Sequence, residues 1–199
     1  MKHFFLVSLT TYIFAMFIYL VWQTFTFEIA RNSIFGSLIY LPHGVRVICF
    51  CYFSYRSLPA LFLAEGSHYY LKNIQLLEMG SDEESYMWAL SSATSLFAVV
   101  ASVEIVKWSR INANYNILKP LNFSNYRFLF LVILISAAFN AIFTNATISI
   151  LNPEMDMPIN RVFTYLIGDT FGSIVVVMSL MAIFSTLRDS KLILTKDRK

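Results

Sequence analysis

Long apolar stretches separated by short polar ones dominate the chain. The interval from Phe4 to Phe27 contains no charged side chain, and a helix of that length can cross roughly 30 Å of hydrocarbon. Similar stretches recur, and together they predict about six transmembrane helices, over residues 4–25, 33–55, 58–71, 86–106, 128–150 and 162–184. The expected fold class is therefore all-α, a polytopic helical bundle embedded in a membrane.

Prolines and glycines modify two of these predicted helices. The second span contains Pro42, His43 and Gly44 near its middle. Because proline disrupts a helix interior, we expect this span to be two half-helices separated by a break. The third span starts with Leu58 and Pro59, and the first helical turn tolerates proline. It is the shortest of the six, and it carries Glu65.

The composition agrees with a membrane protein. The 199 residues are 57% hydrophobic and 14% charged, whereas average soluble domains are about 45–50% apolar and about 25% charged. The apolar run after Lys2 is longer than that of a typical signal peptide and has no small-residue cleavage site, so it predicts an uncleaved first span. No polar tail is long enough for a soluble domain. We therefore expect one integral membrane domain, residues 1–199.

Lys and Arg favour one orientation of the six spans. With the N-terminus inside, Lys2, Arg56, the basic connection 107–127 and the basic tail 188–199 all lie in the cytoplasm. Both acidic loops, around residues 82–85 and 152–156, then lie outside. Merging spans 2 and 3 into one crossing would require an outside N-terminus, so the distribution favours six spans over five. The predicted topology therefore has both termini in the cytoplasm.

Apart from Glu104 near the cytoplasmic end of span 4, three charged residues lie inside predicted spans: Arg46, Glu65 and Asp169. A charged side chain near the bilayer centre costs about 2.5–3.5 kcal/mol on insertion scales, so it is normally paired or functional. In the six-span topology these residues fall at comparable depths. They predict a polar interior that opens to the outside.

Uncharged polar groups accompany these charges, and two interpretations remain open. His43, Asn140 and Asn145 could line a ligand cavity together with Arg46, Glu65 and Asp169. Alternatively, Arg46 and Asp169 form an ion pair that only docks span 2 on span 6, and the asparagines bond between helices. Gly168 and Gly172 form a small-xxx-small pattern, which is typical of close helix packing.

Enzymatic and metal-binding patterns are missing from the sequence. It has no HExxH, no GxSxG and no phosphate-binding glycine loop. Cys49 and Cys51 are two residues apart and fit no zinc pattern. The net charge of +3 is explained by orientation signals rather than by nucleic-acid binding. We therefore expect no catalytic residues, no cofactor and no metal.

Two short segments resemble a known family. The segment 40–47, YLPHGVRV, and the segment 166–176, LIGDTFGSIVV, are similar to the Pro-x-Gly and Gly-Asp-x-x-Gly stretches of the bacterial membrane-associated sensor (MASE-type) domain. They occur in the order typical of that family. The resemblance implies a sensory input module in a bacterial inner membrane, with an unidentified ligand. That domain usually has eight spans and feeds a kinase or cyclic-dinucleotide output domain, which this chain lacks.

The leading functional hypothesis is a non-enzymatic sensory or accessory module with a polar mid-membrane core. Because no output domain is present, we expect it to act through a partner membrane or signalling protein, with a small molecule as the ligand. The alternatives are a substrate-binding component of a small-solute transporter and a purely structural subunit of a membrane complex.

Overall fold

Helices make up all the secondary structure in the part of the chain that the computed structural model describes, residues 2–29, 39–76, 82–109, 126–151 and 159–189. The α-helices are α1 (Lys2–Ile29), α2 (Leu41–Phe53), α3 (Leu58–Leu76), α4 (Asp82–Trp108), α5 (Tyr126–Leu151) and α6 (Ile159–Asp189), with a 3-10 turn at Ser54–Ser57 between α2 and α3. The predicted all-α class is confirmed. The loop 152–158 and most of the connection 107–127 lie outside the described residues.

Five stretches of the described chain are long and apolar enough to cross a membrane. They are His3–Phe25, Leu41–Leu71, Tyr86–Trp108, Phe128–Leu151 and Ile159–Leu187. In the first and the last of these stretches, only 22% and 17% of an 18-residue apolar segment are buried inside the protein. Side chains such as Phe5 and Phe171 are more than half exposed, as expected for helices that contact lipid. The predicted polytopic helical bundle is therefore confirmed.

The 31-residue stretch Leu41–Leu71 contains two helices that fold back on each other. Arg46 Nε lies 2.5 Å from Glu65 Oε1, although 19 residues of continuous helix would separate them by about 28 Å. The chain reverses at Ser54, whose φ of 55° is uncommon for a residue other than glycine and ends the regular α-helix. This stretch therefore holds both of the helices predicted as spans 2 and 3.

Successive helices alternate in direction. Arg46 on α2 contacts Ser95 on α4, and further along both helices Cys51 and Val106 belong to one apolar cluster. The numbering therefore rises in the same direction in α2 and α4. It falls in that direction in α5, from Asn140 beside the polar residues to Val132 in the apolar cluster. Such an up-down arrangement allows the polar residues of the different helices to lie at the same level of the bundle.

The segment Pro42–Gly44 begins a helix instead of interrupting one. α2 starts at Leu41, and Pro42 occupies its first turn, where the missing N–H removes no helical hydrogen bond. The prediction of a break within a span was therefore wrong at this position. Residues 33–38, the first part of predicted span 2, lie outside the described residues.

Glycines allow α2 and α6 to pack closely. The Tyr40 N–H donates to the Gly168 carbonyl over 2.9 Å. A Cβ at Gly172 would collide with the Tyr40 carbonyl, and one at Gly44 would lie 2.7 Å from Ser173 Cα. These contacts hold the start of α2 against the middle of α6. Asp169, which follows Gly168 in α6, thereby lies beside the first turn of α2.

Candidate functional site

A cavity of about 300 Å³ lies in the polar layer of the bundle. Every one of the six helices contributes to its wall, and so does Tyr40, which precedes α2. The lining residues are Tyr19, Trp22, Tyr40, Arg46, Glu65, His68, Trp88, Ser91, Ser92, Ser95, Asn140, Thr144, Tyr165 and Asp169. This volume is at the lower end of the roughly 300–1,000 Å³ found for small-molecule sites.

Arg46 is held by hydrogen bonds from each nitrogen of its guanidinium. Nε donates to Glu65 Oε1 over 2.5 Å and Nη1 donates to Ser95 Oγ over 2.6 Å. Nη2 donates to the hydroxyls of Tyr19 and Tyr40, each over 3.2 Å. Cζ also lies 5.4 Å from the centroid of the Tyr40 ring, within the range of a cation–π contact. The charge is thus compensated where the bilayer offers no water.

The expected ion pair between Arg46 and Asp169 was wrong, because the partner of Arg46 is Glu65. Arg46 lies eight residues before the turn at Ser54–Ser57 and Glu65 lies eight residues after it. Two antiparallel helices joined by a short turn bring residues at equal distances from the turn to the same level. Asp169 lines the same cavity as Arg46, but the two form no salt bridge among the described contacts.

Asp169 belongs to a second polar group, which joins α2, α5 and α6. Its Oδ2 accepts a hydrogen bond from Asn140 Nδ2 over 2.6 Å, and Asn140 Oδ1 accepts one from Thr144 over 2.8 Å. His43 Nδ1 lies 3.9 Å from Asp169 Oδ2, while its Nε2 is 3.0 Å from Ser136 Oγ. His43 does not line the cavity, and its Nδ1 is too far from Asp169 for a hydrogen bond.

Asn145 lies apart from this group. It is buried, and its Nδ2 donates to the Ala141 carbonyl one turn earlier in α5 over 2.6 Å. It does not line the cavity. The structure thus places four of the six predicted site residues on the cavity wall, namely Arg46, Glu65, Asn140 and Asp169.

Aromatic and serine side chains on the cavity wall were missed by the sequence analysis. Tyr19 stacks on His68 with ring centroids 4.7 Å apart, and Trp22 meets Tyr40 edge-on at 4.9 Å. Three serines of α4 (Ser91, Ser92 and Ser95) also line the cavity. Their spacing of three and four residues puts them on one helix face. A serine stripe in an otherwise apolar helix was the available signal for α4.

The cavity wall carries charged, hydroxyl and aromatic groups. Within the described residues, no cluster of three His, Cys, Asp or Glu side chains is placed to hold a metal ion. Two carboxylates, one guanidinium, several hydroxyls and aromatic faces surround the space. Such a wall can hold a small molecule by charge, hydrogen bonds and ring contacts.

Comparison with protein families identifies the chain. The model of the MASE1 family matches residues 8–191, which includes most of α1 and all of α2 to α6. The comparisons with curated proteins and with solved structures found no significant match. The resemblance seen in segments 40–47 and 166–176 therefore extends over nearly the whole chain. The chain belongs to the MASE1 family of membrane-associated sensory domains.

Proposed function

We propose that this chain is a non-enzymatic sensory module of a bacterial inner membrane, which binds a small molecule in the cavity and acts through a partner protein. The observation that carries the proposal is that all six helices contribute to one charged cavity. A molecule bound there would contact every helix of the bundle. Its binding can therefore favour one packing of the helices over another.

Helix α6 offers a route from the cavity to the opposite end of the bundle. Asp169 lies on the cavity wall, and α6 continues to Asp189, about 30 Å further along the axis. The contact between Tyr40 and Gly168 joins this helix to the start of α2. A displacement of Asp169 by a ligand would thus move a long helix that ends far from the cavity. We place that end in the cytoplasm, where a signalling partner could receive the change.

Filling the cavity tests the binding step. Ser92 lines the cavity, so Ser92→Phe should occupy part of it, whereas Ala93→Phe, one residue further, adds the same ring at an exposed position. Purified full-length protein is screened by thermal shift against amino acids, amines, nucleosides, organic acids and sugar phosphates. We expect at least one class to stabilise the wild type and Ala93→Phe but not Ser92→Phe. If no class stabilises the wild type, the cavity has only a structural role.

A distance measurement tests the sensory step. Spin labels are attached at Phe5→Cys on α1 and Met181→Cys on α6, both of which are more than half exposed, in a chain with Cys49 and Cys51 replaced by alanine. A compound from the screen should change the distance distribution in this protein. The same labels with Ser92→Phe should show no change. A distribution unaffected by a compound that binds would contradict the sensory role.

A further inference from the structure

The cavity wall carries more acidic than basic side chains, and its one arginine already donates hydrogen bonds to protein groups. The wall carries Arg46 and two acidic residues, Glu65 and Asp169. Every nitrogen of Arg46 donates to a protein oxygen. An anionic ligand would therefore have to displace Glu65 or the tyrosine hydroxyls in order to reach the guanidinium. This arrangement disfavours an anion.

Both carboxylates retain the capacity to accept hydrogen bonds. Glu65 is 2% exposed, and its Oε2 is buried without a hydrogen-bond partner, while Oε1 is engaged by Arg46. Asp169 is 1% exposed and accepts one hydrogen bond, from Asn140. A buried carboxylate oxygen with no donor is costly. A ligand that brings N–H donors and a positive charge would remove this cost.

Aromatic rings form much of the remaining wall. Five of them, together with His68, face the space: Tyr19, Trp22, Tyr40, Trp88 and Tyr165. Ring faces attract cations electrostatically and also pack against apolar carbon. Carboxylates and aromatic rings together are the groups that recognise an organic ammonium ion. The volume of about 300 Å³ limits the ligand to a compact skeleton.

We propose that the cavity binds a small organic monocation, an ammonium group on a compact apolar or aromatic skeleton, with Glu65 and Asp169 as its acceptors. This inference deepens the proposed function and rests on it, since it names the chemical class of the sensed molecule. The ammonium group donates to Glu65 Oε2 and Asp169, and the skeleton packs against the aromatic wall.

Three probes that share a phenyl ring separate charge from shape. Full-length protein in one detergent is titrated with 2-phenylethylammonium, 2-phenylethanol and phenylacetate, and propylammonium extends the cation series to a smaller skeleton. We expect the ammonium ions to raise the melting temperature and the alcohol and the carboxylate to leave it unchanged. Equal stabilisation by the alcohol would indicate an apolar cavity, and stabilisation by phenylacetate would make Arg46 the anchor. Either result, or no effect of either cation, overturns the proposal.

A pair of neutralised acids locates the binding site. Asp169→Asn should weaken binding of 2-phenylethylammonium by about tenfold or more, because it removes a charge-assisted hydrogen bond. Glu104→Gln also neutralises an acid within a spanning helix, but Glu104 pairs with Lys107 and lies off the cavity wall. It should leave the affinity unchanged. If both variants bind as the wild type does, the cation binds elsewhere and the proposal fails.

The failure of this inference differs from the failure of the proposed function. One outcome is that a nucleoside or an organic acid stabilises the wild type but not Ser92→Phe, while the ammonium ions stabilise neither protein. In that case the proposed sensory function stands and the proposed ligand class is wrong. If Asp169→Asn does not fold, the comparison of the charged and neutral probes on the wild type decides the proposal by itself.

Discussion

At the residue scale, the arrangement around Arg46 explains how this chain tolerates charges in a membrane. Arg46 is 5% exposed, and its guanidinium is surrounded by one carboxylate and three hydroxyls. A buried ion pair contributes little net stability, because desolvation offsets the attraction between the charges. Removing one partner is different, since it leaves an uncompensated charge. We therefore expect the pair to matter more for the position of α3 relative to α2 than for the stability of the fold.

This view predicts strong coupling between Arg46 and Glu65. Arg46→Gln or Glu65→Gln alone should lower the free energy of unfolding by about 3–5 kcal/mol, because each leaves a buried charge unpaired. The double variant should lose clearly less than the sum. Reversible unfolding in mixed micelles measures the three losses.

Asp169 provides the comparison for this double-mutant cycle of Arg46 and Glu65. Because Asp169 bonds to Asn140 and shares only the cavity with Arg46, Arg46→Gln should couple less strongly to Asp169→Asn than to Glu65→Gln. A larger coupling for Arg46 with Asp169 than with Glu65 would contradict the pairing described here.

At the element scale, the contact between α2 and α6 depends on the absence of two side chains. The start of α2 lies against Gly172, and Gly44 lies against the backbone of Ser173. Small residues allow two helix backbones to approach within a membrane, where association relies on packing and not on the hydrophobic effect. This close contact brings both Arg46 and Asp169 to the wall of one cavity.

Gly172→Ala should therefore destabilise the protein. Its Cβ would collide with the Tyr40 carbonyl, and overpacking of this kind costs about 1–3 kcal/mol. Gly66→Ala is the matched control, because its Cβ would lie 3.4 Å from the Trp88 ring, an ordinary contact. Alanine favours a helix over glycine by up to about 1 kcal/mol, so Gly66→Ala should unfold at the same temperature as the wild type or higher. Equal losses in both variants would argue against close packing of α2 on α6.

At the scale of the whole molecule, the reversal at Ser54–Ser57 decides how many times the chain crosses the membrane. By length and hydropathy alone, Leu41–Leu71 counts as one segment. The contact between Arg46 and Glu65 shows that it contains two antiparallel helices. The turn then lies at one end of the bundle, together with the start of α1 and the end of α6.

Cysteine labelling tests this reversal. Arg56 is exposed in the turn, so Arg56→Cys should react with a membrane-impermeant maleimide in inverted vesicles and not in intact cells. Leu63→Cys, on the exposed face of α3, should react in neither. The wild type supplies the background, because Cys49 and Cys51 are buried. Labelling from the outer side would reverse the orientation, whereas no labelling from either side would indicate a single crossing.

The sequence by itself determined the class of this protein and the residues that had to be explained. Its apolar stretches predicted an all-α membrane bundle, and its family segments marked Arg46 and Asp169. Those conclusions depend on composition and local order, which a bilayer constrains strongly. The serines of α4 carried a signal that could have been read from their spacing.

Only the tertiary structure decided which charges meet. Whether Arg46 pairs with Glu65 or with Asp169 depends on the rotation of each helix and on where the chain reverses. The predicted spans 33–55 and 58–71 already implied a reversal between them, but the hydropathy pattern indicated neither the positive φ of Ser54 nor the helix rotation that turns Arg46 towards Glu65. In the same geometry Asp169 lies on the cavity wall and forms no salt bridge with a lysine or arginine of the described residues. Arg46 and Asp169 were expected to pair because of their similar depth. Instead Arg46 pairs with Glu65, and the Asp169 carboxylate lies on the cavity wall, where it can accept a hydrogen bond from a ligand.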